Sequence, residues 1–253
     1  MTAVRTAVRG FRAAVVLLTR FPAGGFPFTD DEWRWATAAY PLVGAGIGLV
    51  LSGVWWLATP LGPLSCALVT YGASLFVTGA LHEDGLADSA DALGGATTPE
   101  RLFAILKDSR VGTYGVLALI LSIGLRSSLL ARLDAAAMAG LVSSQSLARL
   151  APAYLMTMLP YVTPAGARSR GVVRAGGVQV MCASGSALAI LVVVGLLGGV
   201  GILEGLVMIA GLVSVVVLCG RLFERRAGGI TGDFLGASEQ VGEGVVLIAM
   251  VTV

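Results

Sequence analysis

This sequence has few charged residues. Charged residues make up 13% of its 253 positions, about half the ~25% of a typical soluble domain. So few charges exclude an ordinary soluble globular protein, whose surface they would have to cover. The chain holds only one lysine, and no stretch combines basic and aromatic residues in the manner of a nucleic-acid-binding surface. We therefore expect no nucleic-acid partner.

Cysteine is also scarce. Cys66, Cys182 and Cys219 lie in apolar runs, and no two of them have the C-x-x-C spacing of a zinc or redox site. We expect small buried hydrophobic side chains rather than disulfides or zinc ligands. A cleavable signal peptide is not evident either, because the first apolar run, residues 13–18, is too short for one.

Apolar residues are abundant instead, at 56%, together with 35 glycines. Runs of about 20 apolar residues indicate membrane spans, and small residues let such helices pack closely in lipid. We predict an all-α polytopic integral membrane protein of about six to seven transmembrane helices, forming one domain over residues 1–253. The predicted spans cover about residues 40–57, 64–81, 114–130, 138–159, 181–197 and 202–220. The last run, 241–253, is too short to span unless it begins near Leu235.

The first 19 residues predict a helix on the membrane surface. Apolar side chains share one helical face with arginines beside it: Val4, Val8, Phe11 and Val15, with Arg5, Arg9 and Arg12. Such a basic amphipathic helix lies in the interface of an anionic leaflet. A signal-anchor is the alternative.

The basic residues are distributed unevenly among the loops. Four alternate segments, residues 1–39, 82–112, 160–178 and 220–240, hold 14 of the 17, while the opposite loops hold only Arg132. Cytoplasmic loops of membrane proteins carry the excess of Lys and Arg, so we expect these segments together on the cytoplasmic side. Arg126 and Arg149 lie within predicted spans, where a charged residue is a candidate for a functional role. The alternative is that each side chain extends to the nearby end of its span and lies among the headgroups.

The acidic residues are concentrated just after the second predicted span. Residues 82–91 hold the only histidine and four of the 15 acids. In a helix, Asp84, Asp88 and Asp91 share one face, where like charges repel unless something positive lies opposite. The simplest partner is Mg²⁺, which prefers oxygen ligands and often shares them with a phosphate. A solvated acidic helix face is the alternative.

Residues near the three aspartates have candidate roles around such an ion. Gly85 leaves room for a phosphate because it has no side chain. His82 is either a general base near neutral pH or a hydrogen-bonding group at the start of the helix. Glu83 points away from the aspartate face and is the weaker ligand candidate.

Two other segments on the same predicted side carry further candidates. Lys107 and Arg110, on either side of Asp108, either clamp phosphate oxygens or anchor at lipid headgroups. Asp233, between a glycine and an apolar run, either adds a carboxylate to the site or caps the last helix.

Five segments resemble one protein family. The acidic stretch, His82-Glu83-Asp84-Gly85-Leu86-Ala87-Asp88-Ser89-Ala90-Asp91-Ala92-Leu93-Gly94-Gly95, looks like the H-x-D-G-L-A-D-[ST]-x-D-G-[LF]-G-G motif of cobalamin synthases (adenosylcobinamide-GDP ribazoletransferases). Lys107-Asp108-Ser109-Arg110-Val111-Gly112-Thr113-Tyr114-Gly115 is similar to that family's K-D-S-x-x-G-x-[YF]-G segment. The three other similar segments are Leu18-Thr19-Arg20-Phe21-Pro22, Tyr40-Pro41-Leu42-Val43-Gly44 and Gly229-Ile230-Thr231-Gly232-Asp233-Phe234-Leu235-Gly236-Ala237. Ala92 departs from the family's usual glycine.

This resemblance implies a Mg²⁺-dependent membrane transferase of late cobalamin biosynthesis. It would lie in the inner membrane of a bacterium or archaeon, with its active site facing the cytoplasm. It would transfer the adenosylcobinamide-phosphate group from adenosylcobinamide-GDP to α-ribazole or its 5′-phosphate and release GMP. With the residue-level reasoning above, the site candidates are catalytic (His82, Asp84, Asp88, Lys107 and Asp108), substrate-binding (Arg20, Gly85, Ser109, Arg110, Tyr114, Arg170, Arg174 and Thr231) and metal-binding (Asp84, Asp88, Asp91 and Asp233).

Two other functions remain open at this point. A CDP-alcohol phosphatidyltransferase also places an Asp-Gly helix and Mg²⁺ at a membrane face, but its motif continues with Ala-Arg, whereas Asp88 follows Ala87 in this chain. A membrane transporter holds its charged site near the bilayer midplane, whereas these acids lie beyond the second predicted span. The expected partners are the small-molecule substrates and the lipid bilayer, and the sequence leaves a homo-oligomer open.

Overall fold

The computed structural model describes residues 3–162 and 175–253. Those residues form α1 (Ala3–Leu18), α2 (Asp30–Ala58), α3 (Pro63–Thr78), α4 (Leu81–Gly95), α5 (Pro99–Ile105), α6 (Thr113–Leu133), α7 (Ala137–Leu147), α8 (Leu150–Met158), α9 (Gly177–Leu196), α10 (Ile202–Ala227) and α11 (Gly232–Thr252). In these two ranges there is no β-strand, only an isolated bridge between Tyr161 and Ile230. The predicted all-α class is confirmed.

Several of these helices are long and apolar enough to cross a membrane. Five stretches qualify, or six if the bent pair α3 and α4 counts as one span. They are Asp30–Leu61, Thr113–Met158, Gly177–Leu196, Ile202–Ala227 and Gly232–Thr252. The multi-pass membrane prediction is confirmed, and the lower number of the predicted six to seven spans is reached if α3 and α4 count as one span.

The helix α1 confirms the predicted N-terminal helix and crosses the start of α2 at close range. A Cβ at Gly10 would lie 2.5 Å from the Cβ of Trp35, so glycine is required for this approach. Arg9 forms an ion pair with the buried Glu32. Glu32 also accepts a hydrogen bond from the Thr29 backbone N–H at 2.8 Å, which closes the capping box of α2.

The end of the chain is helical over a longer stretch than its apolar run predicted. Instead of starting near Leu235 or Val241, α11 begins at Gly232 and is 21 residues long. Glu239 and Glu243 interrupt the apolar pattern of the sequence, but both are buried inside the bundle. Because these acids face protein rather than lipid, hydropathy alone underestimates the length of the helix.

The predicted span 138–159 is broken near its middle. It consists of α7 and α8, which meet at Ala148 and Arg149. Arg149 is 0% exposed, so its guanidinium does not reach the membrane surface. Arg126, in α6, is 2% exposed and is likewise enclosed by protein.

Candidate active site

The acidic helix α4 starts at a sharp bend, where α3 and α4 meet at 95°. Gly79 and Ala80 both adopt left-handed backbone conformations, with φ of 69° and 58°. That conformation is natural for glycine, but it strains an alanine by roughly 1–2 kcal/mol. Arg20 lies over the bend, because its backbone N–H donates to Val77 O at 2.8 Å and its Nε would lie 2.7 Å from a Cβ at Gly79. This predicted substrate-binding residue therefore lies beside the start of α4.

Two of the predicted metal ligands form the open face of α4. Asp84 is exposed and Asp88 is half-buried, and neither belongs to an ion pair within residues 3–162 and 175–253. Asp88 is repelled electrostatically by Asp84, Asp91 and Asp233. Asp233, in the first turn of α11, thus joins the carboxylates of α4. A cation would relieve the repulsion among these groups.

Asp91 already has two hydrogen-bond partners. Its Oδ2 accepts from the Gly112 backbone N–H at 2.6 Å, and its Oδ1 accepts from that of Gly115 at 2.9 Å. A Cβ at either glycine would lie 2.5 Å from an Asp91 oxygen, so glycine is required at both positions. The carboxylate also stabilises the positive end of α6. Asp91 therefore joins α4 to α6, which makes it a poorer metal ligand than Asp84 or Asp88.

The C-terminal end of α4 has its own contacts. A Cβ at Gly94 would lie 2.7 Å from Cγ of the Tyr114 ring, so the ring packs directly on the backbone of α4. Arg226 Nη2 donates to Leu93 O at 2.9 Å and to Ala96 O at 2.6 Å, which satisfies carbonyls that a helix end leaves free. The sequence predicted no role for Arg226, because α10, which carries it, is remote from α4 in the chain.

α4 and α11 touch through glycine. A Cβ at Gly85 would lie 2.8 Å from Asp233 O and 3.2 Å from the Cα of Gly236. A Cβ at Gly236 would lie 3.3 Å from the Cα of His82. The backbone of α11 therefore fills the space at Gly85 that the sequence predicted for a phosphate. This close approach is what brings Asp233 to the aspartates of α4.

His82 and Glu83 point into the bundle and are 6% and 7% exposed. His82 Nδ1 lies 3.5 Å from Glu239 Oε2, and Glu83 Oε1 lies 3.7 Å from Arg126 Nη2. Two residues of helix turn the chain by about 200°, so His82 lies on the far side of α4 from Asp84. Of its two predicted roles, this geometry favours a bonding group at the helix start over a general base.

The loop before α6 carries a tight acid–base pair. Arg110 Nη2 lies 2.6 Å from Asp108 Oδ2, and the Arg110 backbone N–H donates to Asp108 Oδ1 at 3.1 Å. The hydrogen bond from the Arg110 side chain lowers the pKa of Asp108 to about 2. A carboxylate with so low a pKa is a weak general base at neutral pH. Lys107 and Ser109 are exposed beside the pair.

Thr231, a predicted substrate-binding residue, is 4% exposed. Its hydroxyl accepts from the Phe234 backbone N–H at 3.2 Å and caps α11. The cap is thus supplied by Thr231, which favours the carboxylate role for Asp233 over the capping role. The predicted substrate-binding residues Arg170 and Arg174 lie outside the described residues.

One of the five segments singled out in the sequence is α4 itself, and the other four support it. The segment in α2 does so indirectly, through Gly44, which packs against α7 and Arg149. A Cβ at Gly44 would lie 2.1 Å from Gln145 O and 2.9 Å from Arg149 Cδ. Arg149 Nη1 in turn lies 3.0 Å from Glu239 Oε1, and Glu239 contacts His82. Each of these four segments therefore contacts α4, the bend before it, or a residue that holds it.

The carboxylates fit a hard divalent cation that arrives with a phosphate. Across the described ranges, no three His, Cys, Asp or Glu side chains lie close enough together to hold a metal ion. Mg²⁺ usually takes only one or two protein carboxylates, while water and substrate phosphates complete its octahedron. Asp84, Asp88 and Asp233 match that donor chemistry, and they do not form a closed protein cage.

The sequence is similar to one known family over nearly its full length. The family described as cobalamin-5-phosphate synthase matches residues 10–251. The chain is 36% identical to the adenosylcobinamide-GDP ribazoletransferase of Leptothrix cholodnii, over 96% of this chain and 95% of the relative. The proteins of the same name from Bradyrhizobium diazoefficiens and Brucella canis are 39% and 40% identical, over 97% and 91% of this chain and 94% and 90% of their own. No solved structure matches the chain.

Proposed function

The chain belongs to the cobalamin-5-phosphate synthase family, and from that membership we propose that it joins adenosylcobinamide-GDP to α-ribazole or α-ribazole 5′-phosphate. It is a membrane enzyme, a transferase of cobalamin synthesis. In the proposed reaction the ribazole hydroxyl attacks the phosphorus next to cobinamide, and the anhydride bond to GMP breaks. The products are adenosylcobalamin or its 5′-phosphate, GMP and the proton of the hydroxyl.

The observation that carries this proposal is the arrangement of the five family-like segments. One of them is α4, and the other four come from separate parts of the chain and support it. Their joint effect is an open face with the carboxylates of Asp84, Asp88 and Asp233 near one another. Such a face suits the binding of a diphosphate through a shared cation.

We propose that Asp84 and Asp88, with Asp233 beside them, bind Mg²⁺ together with substrate phosphates in this reaction. When bound, the ion would neutralise charge on the phosphate oxygens, which is the main requirement of phosphoryl transfer. Lys107 and Ser109, exposed on the loop that Asp91 anchors to α4, are placed to bind and orient phosphate oxygens. Arg20, beside the start of α4, is a second candidate for this task.

The proposed orientation places this face on the cytoplasmic side of the inner membrane. The support is the excess of basic residues in the segments that carry the site, 14 of 17 in the whole chain. Nucleotide substrates and GMP are soluble in the cytoplasm, which agrees with that orientation.

The decisive experiment measures GMP release by the purified protein in detergent. We expect release from adenosylcobinamide-GDP only when both Mg²⁺ and α-ribazole or its 5′-phosphate are present. Asp84→Asn and Asp88→Asn should each reduce turnover at least about 100-fold, whereas Asp134→Asn, far along the chain at the end of α6, should not.

Three results would contradict the proposal. A folded protein that releases no GMP under any of these conditions overturns the reaction. Near-wild-type turnover by either aspartate variant removes the metal assignment. Consumption of CDP-diacylglycerol with release of CMP would instead indicate a CDP-alcohol phosphatidyltransferase.

A further inference from the structure

A cluster of charged and polar side chains lies behind α4, inside the bundle. Its charged members are Arg126, Arg149, Glu239 and Glu243, which are 2%, 0%, 0% and 2% exposed. Only 13% of the sequence is charged, and burying charge is expensive unless the charges are paired. The cluster is therefore a specific arrangement of buried charged groups, and it does not consist of surface residues covered by chance.

Two chains of contacts run from this cluster to α4. In the first, Arg149 Nη1 lies 3.0 Å from Glu239 Oε1, and Glu239 Oε2 lies 3.5 Å from His82 Nδ1. In the second, Glu243 Oε2 lies 2.5 Å from Arg126 Nη1, and Arg126 Nη2 lies 3.7 Å from Glu83 Oε1. Each of two consecutive residues of α4 is thus held by a different helix, His82 by α11 and Glu83 by α6.

Gln145, in α7, joins the two chains. Its Nε2 donates to Glu243 Oε1 at 2.5 Å, and its Oε1 accepts from Arg149 Nη1 at 3.1 Å. The carbonyl of the same residue meets α2 at Gly44. The anchors of α4 are therefore not independent contacts, because one amide side chain links them.

Two anchors on consecutive residues fix the rotation of a helix about its axis. Side chains at successive positions point about 100° apart, so a helix held at both cannot turn without breaking one contact. A single anchor would restrain this rotation less. Rotation matters for α4 because His82 and Glu83 face the interior while Asp84, the next residue, is exposed.

We infer that Glu239 and Arg126 are positioning residues, which set the rotation of α4 so that Asp84 and Asp88 form its open face. Buried ion pairs contribute little to stability compared with apolar packing, and a role in fixing one geometry explains their presence better. His82 acts in the same network and is not the base of the reaction. The inference rests on the proposed function only where turnover is measured.

The test removes the first chain of contacts without leaving an unpaired buried charge. The double variant Glu239→Gln/Arg149→Gln loses one negative and one positive group, so the net charge of the interior is unchanged. Glu204→Gln, in the first turn of α10 and away from α4, is the matched control for the loss of a glutamate. Circular dichroism and size-exclusion chromatography establish that each variant is folded.

Thiol labelling reports the rotation directly. Single cysteines are placed at Asp84 and at Ser89, which is 2% exposed and about 140° away around the helix. Cys182 and Cys219 are replaced by alanine, and the buried Cys66 is kept. With the network intact, a water-soluble maleimide should label Asp84→Cys and leave Ser89→Cys protected. In the double variant, labelling of Ser89→Cys should rise about tenfold or more, as expected when a local opening costs less free energy.

Turnover separates the positioning role of His82 from a catalytic one. If His82 only positions α4, His82→Gln and the double variant lower turnover to similar extents, and combining all three changes adds little further loss. The shape of the pH profile stays the same in all three. Glu204→Gln leaves labelling and turnover unchanged.

Two outcomes overturn the inference. One is unchanged protection of Ser89→Cys in the folded double variant. The other is a His82→Gln loss of about 10²–10⁴-fold, the range for a missing general base, with a limb of the pH profile removed and the double variant nearly as active as wild type. A wild-type protein without GMP release would refute the proposed reaction, and labelling would still decide whether the network orients α4.

Discussion

The contact between Asp91 and the start of α6 allows a quantitative prediction for Asp91→Ala. This change removes the acceptor for two backbone N–H groups, that of Gly112 at 2.6 Å and that of Gly115 at 2.9 Å, of which the second is buried. A hydrogen bond to a charged group contributes about 1.5–3 kcal/mol, and a lost helix N-cap costs about 0.5–2 kcal/mol. Since water can partly replace the bond to Gly112, we expect a loss of about 2–4 kcal/mol in the free energy of unfolding.

Thermal unfolding of the purified protein in detergent, followed by circular dichroism, measures this loss. For a chain of this size, 1 kcal/mol shifts Tm by about 2–4 °C, so Asp91→Ala should unfold about 5–15 °C below wild type. Asp91→Asn keeps one acceptor oxygen and should be intermediate. The matched control is Asp88→Asn, which makes the same change of charge on the same helix but loses no backbone hydrogen bond. It should keep the wild-type Tm or gain slightly, because a like-charge contact is relieved.

Enzyme activity gives the second half of this prediction. The Mg²⁺ concentration for half-maximal turnover should rise in Asp88→Asn and stay unchanged in Asp91→Asn, because only the first carboxylate is free for the ion. The reasoning is refuted if Asp91→Ala is as stable as wild type, or if Asp88→Asn is equally destabilised. An Asp91→Asn variant with a weakened Mg²⁺ response but a wild-type Tm would make Asp91 a ligand after all.

Three further predictions follow from neighbouring contacts. Gly236→Ala should reduce both turnover and Tm, because its Cβ would lie 3.3 Å from His82. The control Gly244→Ala, in the same helix, meets nothing within 4 Å and should stabilise the protein by about 0.5–1 kcal/mol. Equal effects of the two changes would contradict the close packing of α4 on α11. Arg226→Ala should lower stability by about 1–3 kcal/mol through the lost cap on α4, while Arg225→Ala, which is exposed, should change it by less than about 0.5 kcal/mol. The pKa of Asp108 is lowered to about 2, so its stabilising contribution is present above its unfolded pKa and is lost only as pH falls through about 4 towards 2. Asp108→Asn should therefore move neither limb of the pH profile of turnover between pH 5 and 9. A shifted limb would contradict this prediction.

The sequence predicted the acidic helix and its open face well. The spacing of Asp84 and Asp88 places both on one side of a helix whatever surrounds it. Asp233 joins the carboxylates of α4, as one of its two predicted roles required, although its segment is distant in the chain. Such features depend on local periodicity or on shared membrane side, and both can be read from one sequence.

The partners of the remaining candidates could not be predicted. Asp91 has the same spacing signal as Asp84, and only the fold shows that two glycines of α6 occupy its oxygens. Gly85 looks like room for a ligand, but the same absence of a side chain serves the approach of α11. Contacts between distant segments decide such cases, and a single sequence carries no record of them.

Buried charge was the other source of error. The last apolar run, 241–253, looked too short for a span because Glu239 was counted outside it, and Arg149 looked close enough to a span end to reach the headgroups. In the structure Glu239, Glu243 and Arg149 are enclosed by helices. Glu239 pairs with Arg149, and Gln145 links Arg149 to Glu243. A hydropathy scale scores each residue by its preference for lipid or water. It cannot represent a buried charge that is stabilised by another buried charge.

The contact between α4 and α11 has a consequence for the biogenesis of the enzyme. α4 leaves the ribosome long before α11, the last helix of this sequence, and until α11 arrives His82 lacks Glu239 and Gly85 lacks its backbone neighbour. Polar groups left without partners in a bilayer are unfavourable, and contacts between segments so far apart form late in folding. The newly inserted chain therefore passes through a stage in which α4 is present but lacks these contacts with α11. We expect the aspartate face to reach its final arrangement only when α11 docks.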